Sequence, residues 1–327
     1  MAKKNKHEDH LILPRATLTR FMNTTGKISV LNLFSESEYE IKEYAPRRFH
    51  TQNNYYLPTI DNEVRQYETM LGELNKSLSD AVKSNDFSLI DFDDLKRKAV
   101  RIITLQFHRL VLVDPGLLDK FYLQSSMSPQ NRSHDFQKNF LMKRNRHIEA
   151  SYANFDAVVL SIPKATPASF LLPPPHFVGI DTTARIILNP KLAIALYPTS
   201  GSNPKHQVLT KDEVDSMIPR SIEMALAVSD KSFRQLVGEE SYLSGILKKI
   251  NDYHKLLHPT LKPAVYKMVI AKNINPDFGL EAVTILRFLY PDVSQVILEA
   301  PDDVKHDSGI MQPLIAIFNK YQITITY

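Results

Sequence analysis

One helical stretch carries two polar residues on the face that should be buried. In DFDDLKRKAVRIITLQFHRLVLVD (residues 91–114), apolar residues recur at helical spacing, with Gln106 at the centre of the apolar arc and Arg109 at its edge. A buried amide or guanidinium left without a partner costs on the order of 1 to 3 kcal/mol. We therefore expect an acceptor, preferably a carboxylate, to face this pair from another element.

The helix predicted just before this one offers that carboxylate. Residues 61–83 have apolar positions at spacings of three and four, and Glu68, Gly72 and Asn75 lie together on one shoulder of the apolar stripe, whereas Glu73 points to solvent. Two adjacent antiparallel helices would bring Glu68 to Arg109. Such a pair is either a structural salt bridge or part of a site, since ion-pair networks perturb carboxylates in both settings.

Two further features could take part in chemistry on nucleic acid. Asp181 ends the predicted strand HFVGI, where a carboxylate is held by rigid backbone, although its position alone favours an Asx-turn into TTAR. A predicted helix from residue 134 to about 158 carries the densest basic run of the chain, which could contact phosphates or form a solvated face. The run comprises Lys138, Lys143, Arg144, Arg146 and His147.

Arg101 and His108 give an alternative site. Their six-residue separation is similar to that of HEPN ribonucleases, in which one helix presents Arg and His to a phosphodiester. Both residues fall opposite the apolar arc, on the face expected to be in solvent, so this interpretation requires a dimer that uses that face.

Other site classes are weakly supported or excluded by the residues. His254 and His258 lie one helical turn apart, but no third metal ligand follows and Pro259 ends the predicted helix. The nine glycines form neither G-x-G-x-x-G nor G-x-x-x-x-G-K, so we expect no glycine-rich phosphate loop. The absence of cysteine excludes disulfides, thiolate metal sites and cysteine nucleophiles.

Composition predicts a globular protein with a sizeable core. The chain has 327 residues, of which 43% are hydrophobic, and its formal charge of +4 is too small to imply nucleic-acid binding by itself. The start, MAKKNKHEDH, is not followed by the apolar segment of a secretory signal, and no apolar run approaches the ~18 residues of a membrane span. We expect a cytoplasmic protein without a membrane segment.

The order of the predicted helices and strands, which must position these residues, indicates an α+β fold. It is mainly helical, with a small central sheet and a C-terminal strand-helix-strand unit. The small sheet is expected at about residues 168–198, and a hairpin is expected from GKISVLNLF and EYEIKEY. QVILEA and ITITY should be neighbouring parallel strands joined by the helix MQPLIAIFNKY.

Thr210 and Glu213 should form a capping box for a helix to residue 227, broken or kinked at Pro219. Further helices are predicted at residues 232–239, 242–257, 261–272 and 279–289, with a core domain at 8–235 and a helical extension at 241–327 that ends in the β-α-β unit.

Several segments, taken in order, resemble a bacterial family, the domain of unknown function numbered four-two-three-eight. ILPRATLTRF keeps Pro14, Leu18 and Phe21 at the family spacing, and His10 stands one position before the place of the family histidine. NNYYLPTIDNEVRQYETMLGE resembles the family's Tyr-rich segment before a helix with spaced acids, which aligns Glu68 or Glu73 with a family carboxylate. LYPTSG and IEMALAVSD continue the likeness, which covers residues of about 8 to 235.

The same resemblance implies the site residues and the biological role. LQFHR is similar to the family's Gln and Arg, hence Gln106 and Arg109, and FVGIDTTA to its Phe-x-x-Ser-Asp segment, hence Asp181. Family members occur as single-gene phage-defence proteins, so the resemblance implies an antiviral protein.

Two hypotheses follow for the chemistry. The first is an effector nuclease acting on RNA, with Glu68 or Asp181 as base or as ligand of a divalent metal and Arg109 stabilising phosphorane charge. The second is a non-enzymatic sensor or interaction module that binds a phage component, with Gln106, Arg109 and Glu68 as a structural network. The oligomeric state is not predicted.

Overall fold

The fold is taken from a computed structural model of the chain. It describes residues 9–11, 13–33, 39–49, 51–53, 58–113, 128, 131, 148, 150–174, 177–178, 183–226, 234–260, 262–270, 279, 282–283, 286–287 and 292–327. For residues 9–11, 51–53, 58–64, 108–110, 112–113, 223 and 253–259 it describes the backbone alone.

The described residues form fourteen strands and eight α-helices. The strands are β1 (Asp9–Leu11), β2 (Ile28–Asn32), β3 (Glu40–Tyr44), β4 (Thr51–Asn53), β5 (Phe155–Ser161), β6 (Phe177–Val178), β7 (Ala184–Asn189), β8 (Leu192–Pro198), β9 (His206–Val208), β10 (Gln235–Gly238), β11 (Leu257–Pro259), β12 (Val265–Val269), β13 (Gln295–Glu299) and β14 (Thr324–Thr326). The helices are α1 (Arg15–Leu18), α2 (Pro58–Ser84), α3 (Phe92–Val113), α4 (Lys211–Asp215), α5 (Ile218–Leu226), α6 (Glu240–Leu256), α7 (Asp302–Lys305) and α8 (Ser308–Lys320). Short 3-10 turns cover Thr19–Phe21 and Pro46–Arg48.

The expected fold class, mainly helical with a small central sheet, is wrong. Within the described residues the strands form four sheets, with the orders β1-β4, β10-β2-β3, β11-β12-β13-β14 and β6-β7-β8-β5-β9. Three segments assigned to helices contain strands instead, namely β5, β10 and β12. Each is a short apolar run, and periodicity alone does not separate a buried strand from a buried helical segment of that length.

The chain folds into two compact units, each built from two stretches of sequence. Unit 1 consists of Met1–Asp215 with Met224–Leu243, and unit 2 consists of Ser216–Glu223 with Ser244–Tyr327. The chain therefore passes between the units at three points.

The core of unit 1 lies between the five-stranded sheet and the helices α2 and α3. Both helices contact β7, and α3 also contacts β5 and β8. Alternate residues of β5, β7 and β8 share one buried cluster with apolar residues of the two helices. The central strand β8 is buried from Leu192 to Leu196 on both faces, so this sheet is covered on its second face as well.

Local signals set the helix boundaries of unit 1. Asp91 caps α3, its Oδ1 accepting hydrogen bonds from the backbone N–H groups of Asp93 and Asp94 at 3.0 Å. The predicted capping box before α4 is confirmed: the N–H of Thr210 donates to Glu213 Oε2 at 2.7 Å, and the N–H of Glu213 donates to Thr210 Oγ1 at 3.3 Å. The predicted helix to residue 227 is interrupted between α4 and α5, just before Pro219.

The three-stranded sheet of unit 1 joins distant parts of the chain. The predicted hairpin is confirmed, since β2 pairs antiparallel with β3 from Ile28↔Tyr44 to Asn32↔Glu40. On its other side β2 pairs antiparallel with β10, so the helix predicted for residues 232–239 is wrong. All five residues of β2 are buried.

Unit 2 contains a sheet in which β12, β13 and β14 are parallel and β11 is antiparallel to β12. The predicted parallel pairing of QVILEA with ITITY is confirmed by the register from Gln295↔Thr324 to Ile297↔Thr326. The helix predicted for residues 261–272 is wrong, because β12 lies there. Apolar side chains of α8 and the helical residues Ala282, Val283 and Leu286 cover one face of the sheet.

Candidate functional site

Gln106 is buried in α3, and no polar group of the described residues pairs with its side chain. Its side chain is 1% exposed, and within the described part of the chain neither Oε1 nor Nε2 has a hydrogen-bond partner. Thr104, buried two residues earlier, differs in that its hydroxyl donates to the carbonyl of Val100 at 2.9 Å. The helical wheel therefore predicted the burial of Gln106 correctly, whereas the expected acceptor is not found in the described residues.

Helix α2 brings Glu68 to the same end of the helix pair. The helices α2 and α3 contact each other and are joined by the short connection of residues 85–91, so they run antiparallel. Glu68 and Arg109 lie about the same number of residues from this connection, and Gln106 lies one turn of α3 closer to it. Glu68 is half-buried, and Glu73 is exposed as expected.

Arg109 is the partner predicted for Glu68. The backbone of Arg109 belongs to α3, but its side chain lies outside the described residues. The predicted Glu68–Arg109 salt bridge therefore stays a prediction.

Other candidates fall largely outside the described residues. Asp181 and the basic run that comprises Lys138, Lys143, Arg144, Arg146 and His147 lie outside them completely. His10 is described by its backbone in β1, where it lies opposite Gln52 of β4. Arg101 is exposed on α3, as the wheel predicted, while the His108 side chain lies outside the described residues.

Two observations concern metal binding in the described residues. His254 lies in α6 but His258 lies in β11, so the one-turn helical spacing proposed for them does not hold. No group of three or more His, Asp or Glu side chains that could hold a metal ion occurs in the described part of the chain. The divalent metal considered with Asp181 stays a prediction.

A serine–histidine pair that the sequence did not reveal lies at the edge of the five-stranded sheet. Ser161 Oγ and His206 Nε2 are 2.8 Å apart, and the Phe87 ring packs on the imidazole with centroids 4.6 Å apart. Burial lowers the pKa of His206 below its usual range. A serine beside a base is the arrangement of a nucleophilic site, but Ser161 is only 4% exposed, so a substrate could not reach its hydroxyl in this conformation.

Lys191 immediately precedes β8 and connects the loop that contains Thr166 and Ala168 to Glu239, the residue after β10. Its ammonium group donates to the carbonyls of Thr166 and Ala168, at 3.1 and 2.5 Å, and lies 3.2 Å from Glu239 Oε2. These partners saturate a lysine, so the cluster is a structural clamp.

In the part of the chain that the structure describes, no helix has the length and apolar character needed to cross a bilayer. No protein-family model, curated protein or solved structure matches the chain.

Proposed function

We propose that this chain is an effector of bacterial antiphage defence that acts on RNA in the cytoplasm, with its working site at the Gln106 end of the α2–α3 pair. The ordered resemblance of residues 8–235 to a phage-defence family supplies the biological role. The observation that supports this position is the amide of Gln106, which is buried and has no hydrogen-bond partner among the described residues.

An unpaired amide inside a protein is costly, and native proteins contain few such groups. Gln106 is 1% exposed, so a ligand reaches its amide only when the α2–α3 pair opens locally. The ligand would then supply both a donor and an acceptor to Gln106, and RNA bases and riboses offer both. In this assignment Gln106 orients the RNA and Arg109 neutralises the phosphate. Glu68, half-buried at the same end of the helices, acts as the base.

Replacing Gln106 by Met tests the assignment, because Met has a similar length and no polar requirement. If the amide serves a ligand, Q106M raises the melting temperature and abolishes defence, since it removes an unpaired buried group and a binding contact together. The matched control is T104V, which removes a buried hydroxyl from the same helix. It should leave phage plating unchanged.

Two measurements test the proposed site and the proposed reaction separately. Phage plating on cells that express each variant measures defence, and cleavage of labelled RNA by purified protein measures the reaction. A Q106M protein that is more stable and fully protective would refute the site, and a protective wild-type protein that leaves RNA intact would refute the reaction.

A second candidate is a sensor that binds a phage protein through unit 2. It is favoured by the exposed face of the four-stranded sheet, where Lys267, Val269 and Glu299 are exposed although parallel strands are usually covered on both faces. Under this alternative, Val269→Asp would abolish defence while Q106M would retain it.

A further inference from the structure

We infer that Ser161 and His206 form an acid-sensitive latch, which fastens β9 and the α2–α3 connection to the five-stranded sheet and opens when His206 is protonated. The inference is independent of the proposed activity on RNA.

The latch joins three elements through one imidazole. His206 is the first residue of β9, Ser161 is the last residue of β5, and Phe87 belongs to the connection between α2 and α3. The register Val159↔His206 places the imidazole on the sheet face that packs against α2 and α3. Its contacts with Ser161 and Phe87 therefore hold the connection against the edge of the sheet.

The strand that carries His206 is weakly attached by other means. Within the described residues, β9 is a three-residue strand at the edge of its sheet and pairs with β5 alone. Its last residue, Val208, is 56% exposed. A short edge strand of this kind opens at a small fraction of the cost of global unfolding.

Among the described residues, the charged groups on the neighbouring elements are engaged with other partners. The ammonium of Lys205 lies over the Phe92 ring at 5.2 Å. Asp86 accepts from the N–H of Ser88, and Asp91 caps α3. On the following segment Glu213 accepts hydrogen bonds from Thr210 and Gln207, while on β5 the carboxylate of Asp156 accepts from Thr199 and Asn203.

Burial is accordingly the cause that lowers the pKa of His206 from its usual value of 6.5. The Ser161 hydroxyl can accept from or donate to the ring, so it serves either protonation state. The sensitivity arises because the imidazolium charge is desolvated in the closed state and solvated in the open state.

The direction of the pH effect follows from this difference. Because the pKa is lower in the closed state than in the open state, the latch has its full stability above about pH 6.5. That stability is lost as the pH falls below this value toward the lowered pKa. In this window the population of the open state rises by up to about tenfold for each unit of pH.

Hydrogen–deuterium exchange of the full-length protein at pH 7.5 and 5.5, corrected for intrinsic rates, tests the latch. The wild-type protein should lose protection at residues 85–91 and 205–209 at the lower pH, and H206Q should show no such pH dependence. Gln can bond to Ser161 but does not titrate. The control H306Q, which changes an exposed histidine of unit 2, should behave as the wild type.

The NMR titration of His206 in the wild-type protein provides a test that needs no variant. A pKa at or above 6.5 would overturn the inference, as would an H206Q protein that opens with acid as the wild type does. A depressed pKa together with acid-induced exchange confined to these segments would support it.

Discussion

Asn189, the last residue of β7, donates a hydrogen bond from its side-chain amide to the Asn75 side-chain carbonyl on α2, with Nδ2 and Oδ1 2.6 Å apart. Asn75 is 7% exposed, so the bond links helix and sheet inside the protein. The helical wheel had placed Asn75 on the same shoulder of α2 as Glu68. The structure shows that this position of the shoulder has a structural role.

A double-mutant cycle measures the link. Asn75→Ala and Asn189→Ala should each lower the free energy of unfolding, with a coupling energy of about 0.5–1.5 kcal/mol. N189A should cost more, because Asn189 Oδ1 also accepts from the N–H of Lys191 at 2.8 Å. Strictly additive effects in urea denaturation would contradict the link.

Two helical glycines should respond to alanine in opposite directions. A Cβ at Gly72 of α2 would meet no atom within 4 Å, so G72A should stabilise the protein by about 0.5–1 kcal/mol through its higher helix propensity. A Cβ at Gly279 would lie 3.0 Å from Ile317 Cδ1 and 3.2 Å from Leu314 Cδ1. G279A should therefore stabilise the protein less than G72A does, or destabilise it. Thermal melts in which G279A is the more stable variant would contradict the close packing described around Gly279.

The Lys191 clamp should matter more than a surface ion pair. Lys191→Met leaves two carbonyls without their donor and should cost on the order of 1–3 kcal/mol. The comparison is Lys27→Met, which breaks an exposed pair with Glu43 and should cost about 0–1 kcal/mol. Equal losses in the two variants, measured by chemical denaturation, would argue against the clamp.

The capping box of α4 predicts an acid-dependent contribution to stability. Hydrogen bonds from the backbone N–H and the hydroxyl of Thr210 lower the pKa of Glu213 below 4.5. The contribution is therefore present above about pH 4.5 and is lost as the pH falls through the lowered pKa. Glu213→Gln should flatten the stability profile in this acidic window, and T210A should cost about 1 kcal/mol at neutral pH. An E213Q profile that follows the wild type throughout would contradict the assignment.

Long, regular patterns in the sequence predicted elements correctly. The apolar spacing over residues 61–83 and 91–114 corresponds to α2 and α3, and Asp91 caps α3 as its position indicated. Short apolar runs did not distinguish strand from helix: Val265–Val269 is a strand because it pairs with β11 and β13, and neither partner is visible in its own residues.

The candidate site was predictable only in part for the same reason. The wheel located Gln106 in the core, because burial on a helix follows from local spacing. The pairing of Ser161 with His206 depends on the parallel register of β5 and β9, two strands separated by more than forty residues. No local pattern marks that register.

The position of β10 in its sheet has a consequence for synthesis on the ribosome. Asn32 of β2 and its neighbour Gln235 of β10 are 203 residues apart. At about 5–20 residues per second, β2 waits roughly 10–40 s for this partner after it has been made. During that time a fully buried strand has an open edge, which favours association with other nascent chains. Chains that terminate before Gln235 lack this partner strand altogether, so we expect them to aggregate or be degraded instead of forming a smaller folded protein.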